Sequence, residues 1–324
     1  MALSKRVREW EEPVTLYEII PPPESAPEEE VVDMAAFIRT LLHEHRVDAV
    51  NIPEVRNETR GGARLGRFLQ KMDPREFGRH LRKASGEAWD IVVNHSPVHE
   101  PPETEAKWFE ETYADGYTDI VLVGGESSKI RYPGPSVNEA ARLAREVASR
   151  AFPNDGSRVL LGGITLPDRR RRELDEPERL LAKQRAGLDF FTSQVLFEPE
   201  SAKALLHDYD LLCRREREEP RPVFLSFAPV TGRKDVEFLE WLGVTIPNHA
   251  REWILGTGGR AIDRGARVAE HAFREILRYA HSRELRVPIG LNVEHVMRYN
   301  LDASEVLLDR LESLIEWHRL EYHA

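Results

Sequence analysis

Eight short apolar segments recur along the chain, and each is followed by a segment whose apolar residues repeat at helical spacing. The apolar segments span residues 14–20, 48–53, 89–95, 119–125, 158–164, 189–197, 222–229 and 288–293. The helical segments span residues 27–46, 62–83, 103–114, 137–151, 176–186, 201–215, 234–242, 262–282 and 303–321. Strands that read as continuous apolar runs are typical of parallel sheets covered on both faces. The pattern predicts an α/β fold, a single-domain (β/α)8 barrel over residues 1–324, with residues 1–12 as an N-terminal extension.

A doubly wound open sheet is the alternative fold for the same alternation of strands and helices. That fold commonly carries a glycine-rich turn after a strand, where a dinucleotide phosphate binds. No apolar segment of this sequence is followed by such a fingerprint. The closed barrel is therefore preferred, and in a barrel the carboxyl ends of the strands form the active site.

Composition argues against several classes of protein. The chain has 324 residues and a net charge of −10, whereas a nucleic-acid-binding protein needs a basic surface. No apolar run approaches the roughly 20 residues that span a bilayer, and the opening "MALSKRVREWEEP" lacks the apolar core of a signal peptide. The one cysteine, Cys213, allows no internal disulfide, and its helical setting predicts a half-buried structural residue. We expect a cytoplasmic protein that binds a small molecule.

The stretch "LYEIIPPP" holds a glutamate, Glu18, inside an apolar strand that three prolines end at once. A carboxylate in such a run is costly unless it is paired, hydrogen-bonded or used in chemistry. Two interpretations remain open from the residues alone. Glu18 either pairs with a lysine or arginine as a structural acid, or it serves a site at the strand end.

Other polar residues lie at or just after the predicted strand ends. They are Asn51, Glu54, Asn94, His95, His99, Gly124, Gly125, Glu126, Gln194, Ser226, Asn292, Glu294 and His295. The set is rich in carboxylates and amides, which can position a polar ring and move a proton. It offers no covalent nucleophile with a general base beside it.

Three of these features have a plain alternative interpretation. His95 and His99 have the spacing of a helical metal pair, but Pro97 between them breaks a helix, so no metal site is predicted. The glycines of "VGGESS" either expose backbone N–H groups to a phosphate or form an ordinary turn. The loop "GTGGR", which ends at Arg260 before a helix, is either an anion site or a flexible connection.

The order of the motifs resembles that of the methylenetetrahydrofolate reductase family over about residues 14 to 300. "YEIIPPP" resembles the family's opening "FEFFPP", and "VLVGGES" its fourth-strand "ALRGD" stretch. "LLAKQRAGLDFFTSQVLFEPES" is the most specific block, because its lysine, glycine and Ser-Gln pair are spaced as in the family. "PVFLSFAPVTGRKDVEFLEWLGVTIPN" and "PIGLNVEH" are similar to the segments around strands seven and eight. The family fold is a (β/α)8 barrel.

The resemblance implies NAD(P)H-dependent reduction of 5,10-methylenetetrahydrofolate to 5-methyltetrahydrofolate, a step of one-carbon metabolism and methionine biosynthesis. It implies that Glu18 is the general acid and that Glu126 stabilises the cationic intermediate. Gln194 matches the amide that binds the pterin. We expect the neighbouring strand-end residues Asn51, Ser226 and Asn292 to contact the folate as well.

Departures from the family concentrate where it binds FAD. Gly124 replaces an arginine, Glu126 replaces an aspartate, and Val293 replaces the arginine of the strand-eight "LNR". The aromatic residues that follow strand five in the family are missing, and Arg233 or a neighbour replaces the folate-stacking phenylalanine.

Two family flavin contacts, His95 and Lys183, do match this sequence. With Gly125 and Arg260 they are the expected cofactor-binding residues. We expect NADH or NADPH to transfer hydride directly, with FAD bound weakly or not at all. Three alternatives stay open: the usual flavin-dependent reductase, a folate-binding barrel without catalysis, and a carbohydrate hydrolase with paired carboxylates.

Overall fold

A computed structural model describes residues 2–57, 67–85, 89–125, 130–169, 175–296, 299 and 301–322. Eight parallel strands form a closed barrel in chain order, with the first strand paired to the last. The strands are β1 Thr15–Ile19, β2 Ala49–Ile52, β3 Ile91–His95, β4 Asp119–Leu122, β5 Leu160–Thr165, β6 Phe190–Ser193, β7 Val223–Phe227 and β8 Ile289–His295. The predicted (β/α)8 barrel is confirmed, and the open sheet is excluded because no strand of this described barrel is left at an edge.

One helix precedes the first strand, others lie in the connections between strands, and one follows the last strand. They are α1 Leu3–Glu9, α2 Glu28–Glu44, α3 Pro74–Ser85, α4 Pro102–Ala114, α5 Val137–Ala151, α6 Glu176–Arg185, α7 Glu200–Glu216, α8 Arg233–Trp241, α9 Asn248–Leu255, α10 Ala261–Ser282 and α11 Ala303–Tyr322. Three of them differ from the predictions. Within the described residues 67–85 the helix expected over 62–83 begins at Pro74, and neither α1 nor α9 was expected as a helix.

Successive strand residues point alternately into the barrel and toward the helices. In β7, for example, Phe224 belongs to the cluster inside the barrel, whereas Val223, Leu225 and Phe227 belong to the larger cluster between sheet and helices. Small residues make room for the inner aromatic rings: a Cβ on Gly162 would lie 2.4 Å from the ring of Phe190. Both faces of the strands are therefore buried, as the continuous apolar runs indicated.

The N-terminal segment closes the amino end of the barrel. Leu3, Val7 and Trp10 of α1 and its C-cap are buried in the same cluster as the inner residues of the strands. The Trp10 ring meets Phe224 edge-on, with centroids 5.7 Å apart. Residues 1–12, expected as an extension, thus supply part of the core.

Charged side chains surround this closed end. Arg6 pairs with Asp48 at 2.6 Å, just before β2, and Arg8 pairs with Asp189 at 3.0 Å, just before β6. Arg145 of α5 also reaches Asp189, at 2.5 Å. These pairs connect α1 to loops that are distant in sequence.

Two further expectations can be compared with the structure. Cys213 lies in α7 as predicted, but it is fully buried rather than half-buried. Burial raises the pKa of its thiol to about 11, which keeps the sulfur protonated and unreactive. Among the described residues, no helix is both long and apolar enough to cross a membrane.

Candidate active site

The inner face of the barrel changes from apolar to polar toward the carboxyl ends of the strands. The deeper inner residues, such as Leu16 of β1 and Ala49 of β2, are apolar and pack on α1. Closer to the carboxyl ends, most strands carry one or two polar residues on the inner face. We call these residues the mouth ring; they are Glu18, Asn51, Asn94, Thr192, Gln194, Ser226, Asn292 and Glu294. The structure therefore brings together Glu18 and all four of the residues predicted to bind folate.

Two carboxyl groups occupy adjacent places in the mouth ring. β1 and β8 pair in parallel with Glu18 directly opposite Glu294. Asn51 on the other side donates its amide to Glu18 Oε2 at 2.7 Å. Burial and the neighbouring Glu294 raise the pKa of Glu18 well above its usual value, although a hydrogen bond from Asn292 opposes them. Glu18 is thus a site acid with amide partners, and among the described residues no lysine or arginine forms an ion pair with it.

Glu294 is held by two neutral side chains. Asn292 Nδ2 lies 3.3 Å from Glu294 Oε1 and 3.0 Å from Ser226 Oγ, and Ser226 also hydrogen-bonds Glu294. Burial raises the pKa of Glu294 to about 7, against those hydrogen bonds. Near neutral pH this end of the barrel therefore holds proton donors as well as acceptors.

Three amide oxygens of the mouth ring accept no hydrogen bond from the described part of the chain. They are Oδ1 of Asn51, Asn94 and Asn292, each buried. Buried amide oxygens are normally satisfied, and leaving one without a donor costs on the order of 1–3 kcal/mol. Such a group of acceptors suits a ligand that presents several N–H donors.

Gln194 follows the last residue of β6, at the inner position after Thr192. Its backbone N–H donates to Thr165 O at 2.9 Å, which fixes the strand end. Its side-chain Oε1 accepts from the backbone N–H of Val195 at 3.2 Å. This bond orients the amide and leaves its NH₂ group as the end available to a ligand.

His95 lies on the opposite side of the sheet from the mouth ring. Val92 is an inner residue of β3, so Asn94 points inward and His95 points toward α4. There its ring stacks on Trp108, and its nitrogens meet Glu54 Oε2 at 3.0 Å and Glu105 Oε2 at 2.6 Å. Burial lowers the pKa of His95, but both carboxylates outweigh it and the net pKa is raised. The geometry fits a structural imidazolium and does not place His95 beside a cofactor in the mouth.

Lys183 also lies between sheet and helix. Its Nζ donates to Ile164 O of β5 at 2.5 Å, and its stem lies 3.9 Å from where a Cβ on Gly163 would be. Burial lowers the pKa of Lys183 to about 8, against the attraction of Glu176. The amine is thus hydrogen-bonded to the backbone on the outer face of the sheet.

The other two expected cofactor residues lie at the surface. Gly125 follows β4 and is exposed, and a Cβ there would meet the ring of Tyr132 at 2.3 Å. Arg260 precedes α10 and donates two hydrogen bonds of 2.9 Å to Asp263. Arg264 meanwhile donates to the carbonyl oxygens of Gly258 and Gly259, so its guanidinium holds the glycine loop. Neither position is joined to the mouth ring by a described contact.

Glu126, the expected second catalytic acid, lies outside the described residues. Within the described ranges, no three histidine, cysteine, aspartate or glutamate side chains are arranged to hold a metal ion.

Asn94 and Glu294 were listed among the polar strand-end residues but were given no binding or catalytic role, and Thr192 was not listed at all. Counting every second residue forward from the inner residue Val92 selects Asn94 over its neighbour His95. Such counting requires that one inner residue of each strand is already known. A strand that is apolar on both faces does not reveal from its sequence which residues point inward.

Comparisons with known proteins bear on the fold. No family model matches the chain, and no curated protein matches its sequence. A solved structure described as an uncharacterized protein from Clostridium thermocellum that binds two copies of 5-methyl-5,6,7,8-tetrahydrofolic acid is similar, with a TM-score of 0.77 and 20% identity. The match covers 97% of this chain and 99% of that one.

Other solved barrels are similar at a lower level. Oxaloacetate acetylhydrolase has a TM-score of 0.47 and 13% identity over 90% of this chain and 80% of its own. For 2,3-dimethylmalate lyase the values are 0.46 and 14%, over 75% and 78%. At these identities the likenesses carry no functional argument, and the shared barrel fold rests on the Clostridium thermocellum protein.

Proposed function

We propose that this chain binds a tetrahydrofolate in the mouth of its barrel and reduces 5,10-methylenetetrahydrofolate to 5-methyltetrahydrofolate with NADH or NADPH. The observation that carries the proposal is the mouth ring, in which a proton-bearing carboxyl group, Glu18, lies among amides on the inner face. The order of motifs shared with the methylenetetrahydrofolate reductases supports it. So does the similar barrel from Clostridium thermocellum, whose described ligand is the product of this reaction.

A pterin ring suits the donors and acceptors of the mouth ring. Its amino group and ring N–H groups are donors, and the amide oxygens of Asn51, Asn94 and Asn292 are acceptors that no described group satisfies. Its carbonyl and ring nitrogens are acceptors, which the NH₂ group of Gln194 complements. Each such bond contributes about 0.5–1.5 kcal/mol, so several together select the ring.

Proton transfer from Glu18 begins the proposed reaction. The carboxyl O–H protonates N10 of the folate, the bond from N10 to the bridging methylene carbon breaks, and its electrons stay on N10. The methylene carbon is then part of an N5 iminium cation, which the carboxylate left on Glu18 stabilises. A bound dihydronicotinamide supplies the hydride that makes this carbon a methyl group. One proton and one hydride are consumed for each methyltetrahydrofolate.

Tightly bound FAD is not part of the proposal, because the residues present do not fit it. His95 and Lys183, the two matches to family flavin contacts, are both on the outer face of the sheet with their polar atoms engaged. The space above Gly125 is filled by Tyr132. We therefore propose direct hydride transfer from the nicotinamide, and a colourless protein is the expected result of purification.

A folate-binding barrel without turnover is the second candidate. The similar barrel from Clostridium thermocellum favours it, because that protein is described by the folate that it binds. In that case the raised pKa of Glu18 would serve recognition of a pterin nitrogen.

Two measurements test the proposal in sequence. Calorimetric titration with 5-methyltetrahydrofolate tests binding, and formation of that product from the methylene form with NADH or NADPH tests turnover. Glu18→Gln is the informative variant, and Glu110→Gln, which changes an exposed acid of α4, is its matched control. Binding with no product under either nucleotide establishes the second candidate. Absence of binding overturns both.

A further inference from the structure

The last strand places a second acid beside Glu18 that neither the family resemblance nor the proposed reaction uses. Glu294 faces Glu18 across the β1–β8 pair, in register and on the same face. Neighbouring strands lie about 4.8 Å apart, so the two side chains leave the sheet side by side. A pair of acids here is a consequence of barrel closure, which joins the first strand to the last.

One amide connects the two carboxyl groups. Asn292, two residues before Glu294 and on the same face, hydrogen-bonds Glu294 Oε1 at 3.3 Å and also Glu18. Asn51 and Ser226 hold the outer sides of the pair. All of these partners are neutral, so none can balance two negative charges.

Charged groups farther along the rim are engaged elsewhere. Glu54 after β2 is bound by His95 and Arg56, and Lys183 donates to Ile164 O behind β5. Among the described residues, no lysine or arginine pairs with Glu18 or Glu294. Two partly buried carboxyl groups side by side without a cation disfavour ionisation of both together, so the pair is expected to retain a proton near neutral pH.

We infer that Glu294 is a positioning residue for the proposed proton transfer, which keeps Glu18 in its acid form by placing a second carboxyl group beside it. The inference rests on the proposed function for its catalytic meaning, but the proton-sharing pair itself is a property of the protein without ligand. The raised pKa values of both groups agree with it. Because the two acids titrate together, removing one changes the titration of the other.

Carbon-13 labelling of the glutamate side-chain carboxyl groups tests the pair directly by NMR in the absence of folate. Glu18→Gln and Glu294→Gln each remove one signal and so assign the pair. In Glu294→Gln the pKa of Glu18 is expected to fall by about 1 or more, because the like charge beside it is gone. Glu54→Gln, which removes a rim carboxylate already bound by His95, is the matched control and leaves Glu18 unchanged.

A second variant protects the test against a folding failure. If Glu294→Gln does not fold, Glu294→Ala, which also removes the carboxyl group, must lower the pKa of Glu18 for the inference to stand. Glu294→Asp, which keeps a carboxylate, must retain a raised pKa at Glu18. An unchanged pKa of Glu18 in a folded variant that lacks the carboxyl group at position 294 overturns the inference.

A kinetic measurement separates this inference from the proposed function. If product forms, the loss of kcat/KM at high pH reports deprotonation of Glu18 in the free enzyme, and Glu294→Gln moves that loss to lower pH by about the same amount as the NMR titration. If no product forms with either nucleotide, the proposed reduction fails while the NMR result still decides the proton-sharing pair. An NMR shift without a matching kinetic shift in an active enzyme removes the positioning role.

Discussion

The two ends of the barrel use the same inner face of the same strands and differ in chemistry. At the amino end, Trp10 and the inner residues of the strands form an apolar plug, and charges are kept outside it in ion pairs such as Arg6 with Asp48. At the carboxyl end, amides and acids replace the apolar residues, and two carboxyl groups lie together with no cation from the described residues paired to them. The contrast indicates that one end stabilises the fold, and the other is where we propose that the ligand binds.

The sharpest test of that contrast changes one atom at the mouth. Glu18→Gln keeps the shape and a hydrogen bond to Asn51 but removes the transferable proton. General acid catalysis commonly contributes about 10²–10⁴-fold, so kcat for methyltetrahydrofolate formation is expected to fall by that factor. Calorimetry is expected to show nearly unchanged affinity for 5-methyltetrahydrofolate. Turnover within a fewfold of the wild type would remove Glu18 from the mechanism.

At the apolar plug of the amino end, a large effect on stability rather than on turnover is expected. Trp10 is 5% exposed and packs on Phe224, so Trp10→Ala opens a cavity in the closed end. Truncations of this size cost about 3–5 kcal/mol of unfolding free energy. Chemical denaturation measures the loss, and folate affinity in the folded fraction is expected to stay the same. A variant of wild-type stability would show that α1 is dispensable to the core.

Substitution of Gln194 tests folate binding separately from proton transfer. Gln194→Ala removes the amide that matches the pterin contact of the family, and one neutral hydrogen bond is worth about 0.5–1.5 kcal/mol. The KM for folate is expected to rise by up to about tenfold while kcat changes little, because the bond exists before the reaction. Steady-state kinetics at saturating nucleotide separate the two parameters. An unchanged KM would place the pterin elsewhere in the mouth.

Asp119 provides the corresponding pH test at the closed end. Burial and the nearby Asp90 raise its pKa to about 7 against Arg8 and Arg82, with Asp189 adding further repulsion. A folded-state pKa above the ordinary value means that stability falls as the pH rises from about 4 to 7. Asp119→Asn removes that loss, so it is expected to raise Tm at pH 8 and to have little effect near pH 4. Equal shifts at both pH values would contradict this assignment.

The smallest effect is expected at Arg260. Its guanidinium already holds Asp263 through two hydrogen bonds, and the residue is exposed. The sequence predicts anion binding there, and no described contact supports it. Arg260→Ala is expected to change the KM of folate and of nucleotide by less than about twofold, as exposed ion pairs contribute little. A larger rise in either KM would support anion binding by the loop that ends at Arg260.

Particular residues show how far sequence reasoning reached. The acid in "LYEIIPPP" and the amide of Gln194 were chosen as strand-end residues, because the end of a strand is visible in its prolines and loop residues. Both lie on the inner face at the carboxyl end of the barrel. His95 was chosen instead of Asn94, since a run buried on both faces hides which residues point inward. Lys183 was matched by spacing, which does not reveal the side of the sheet on which a side chain lies.

The sequence by itself determined the alternation of eight strands with helices, because burial of continuous apolar strands on both faces needs helices around a parallel sheet. It favoured a barrel over an open sheet, and the pairing of the first strand with the last confirmed the closure. It also determined that an acid ends the first strand. The tertiary structure alone decided that this acid lies beside Glu294, since only closure of the barrel pairs the first strand with the last. It alone showed that α1 plugs the amino end, because packing over such separations depends on the direction of side chains in space, which no local pattern encodes.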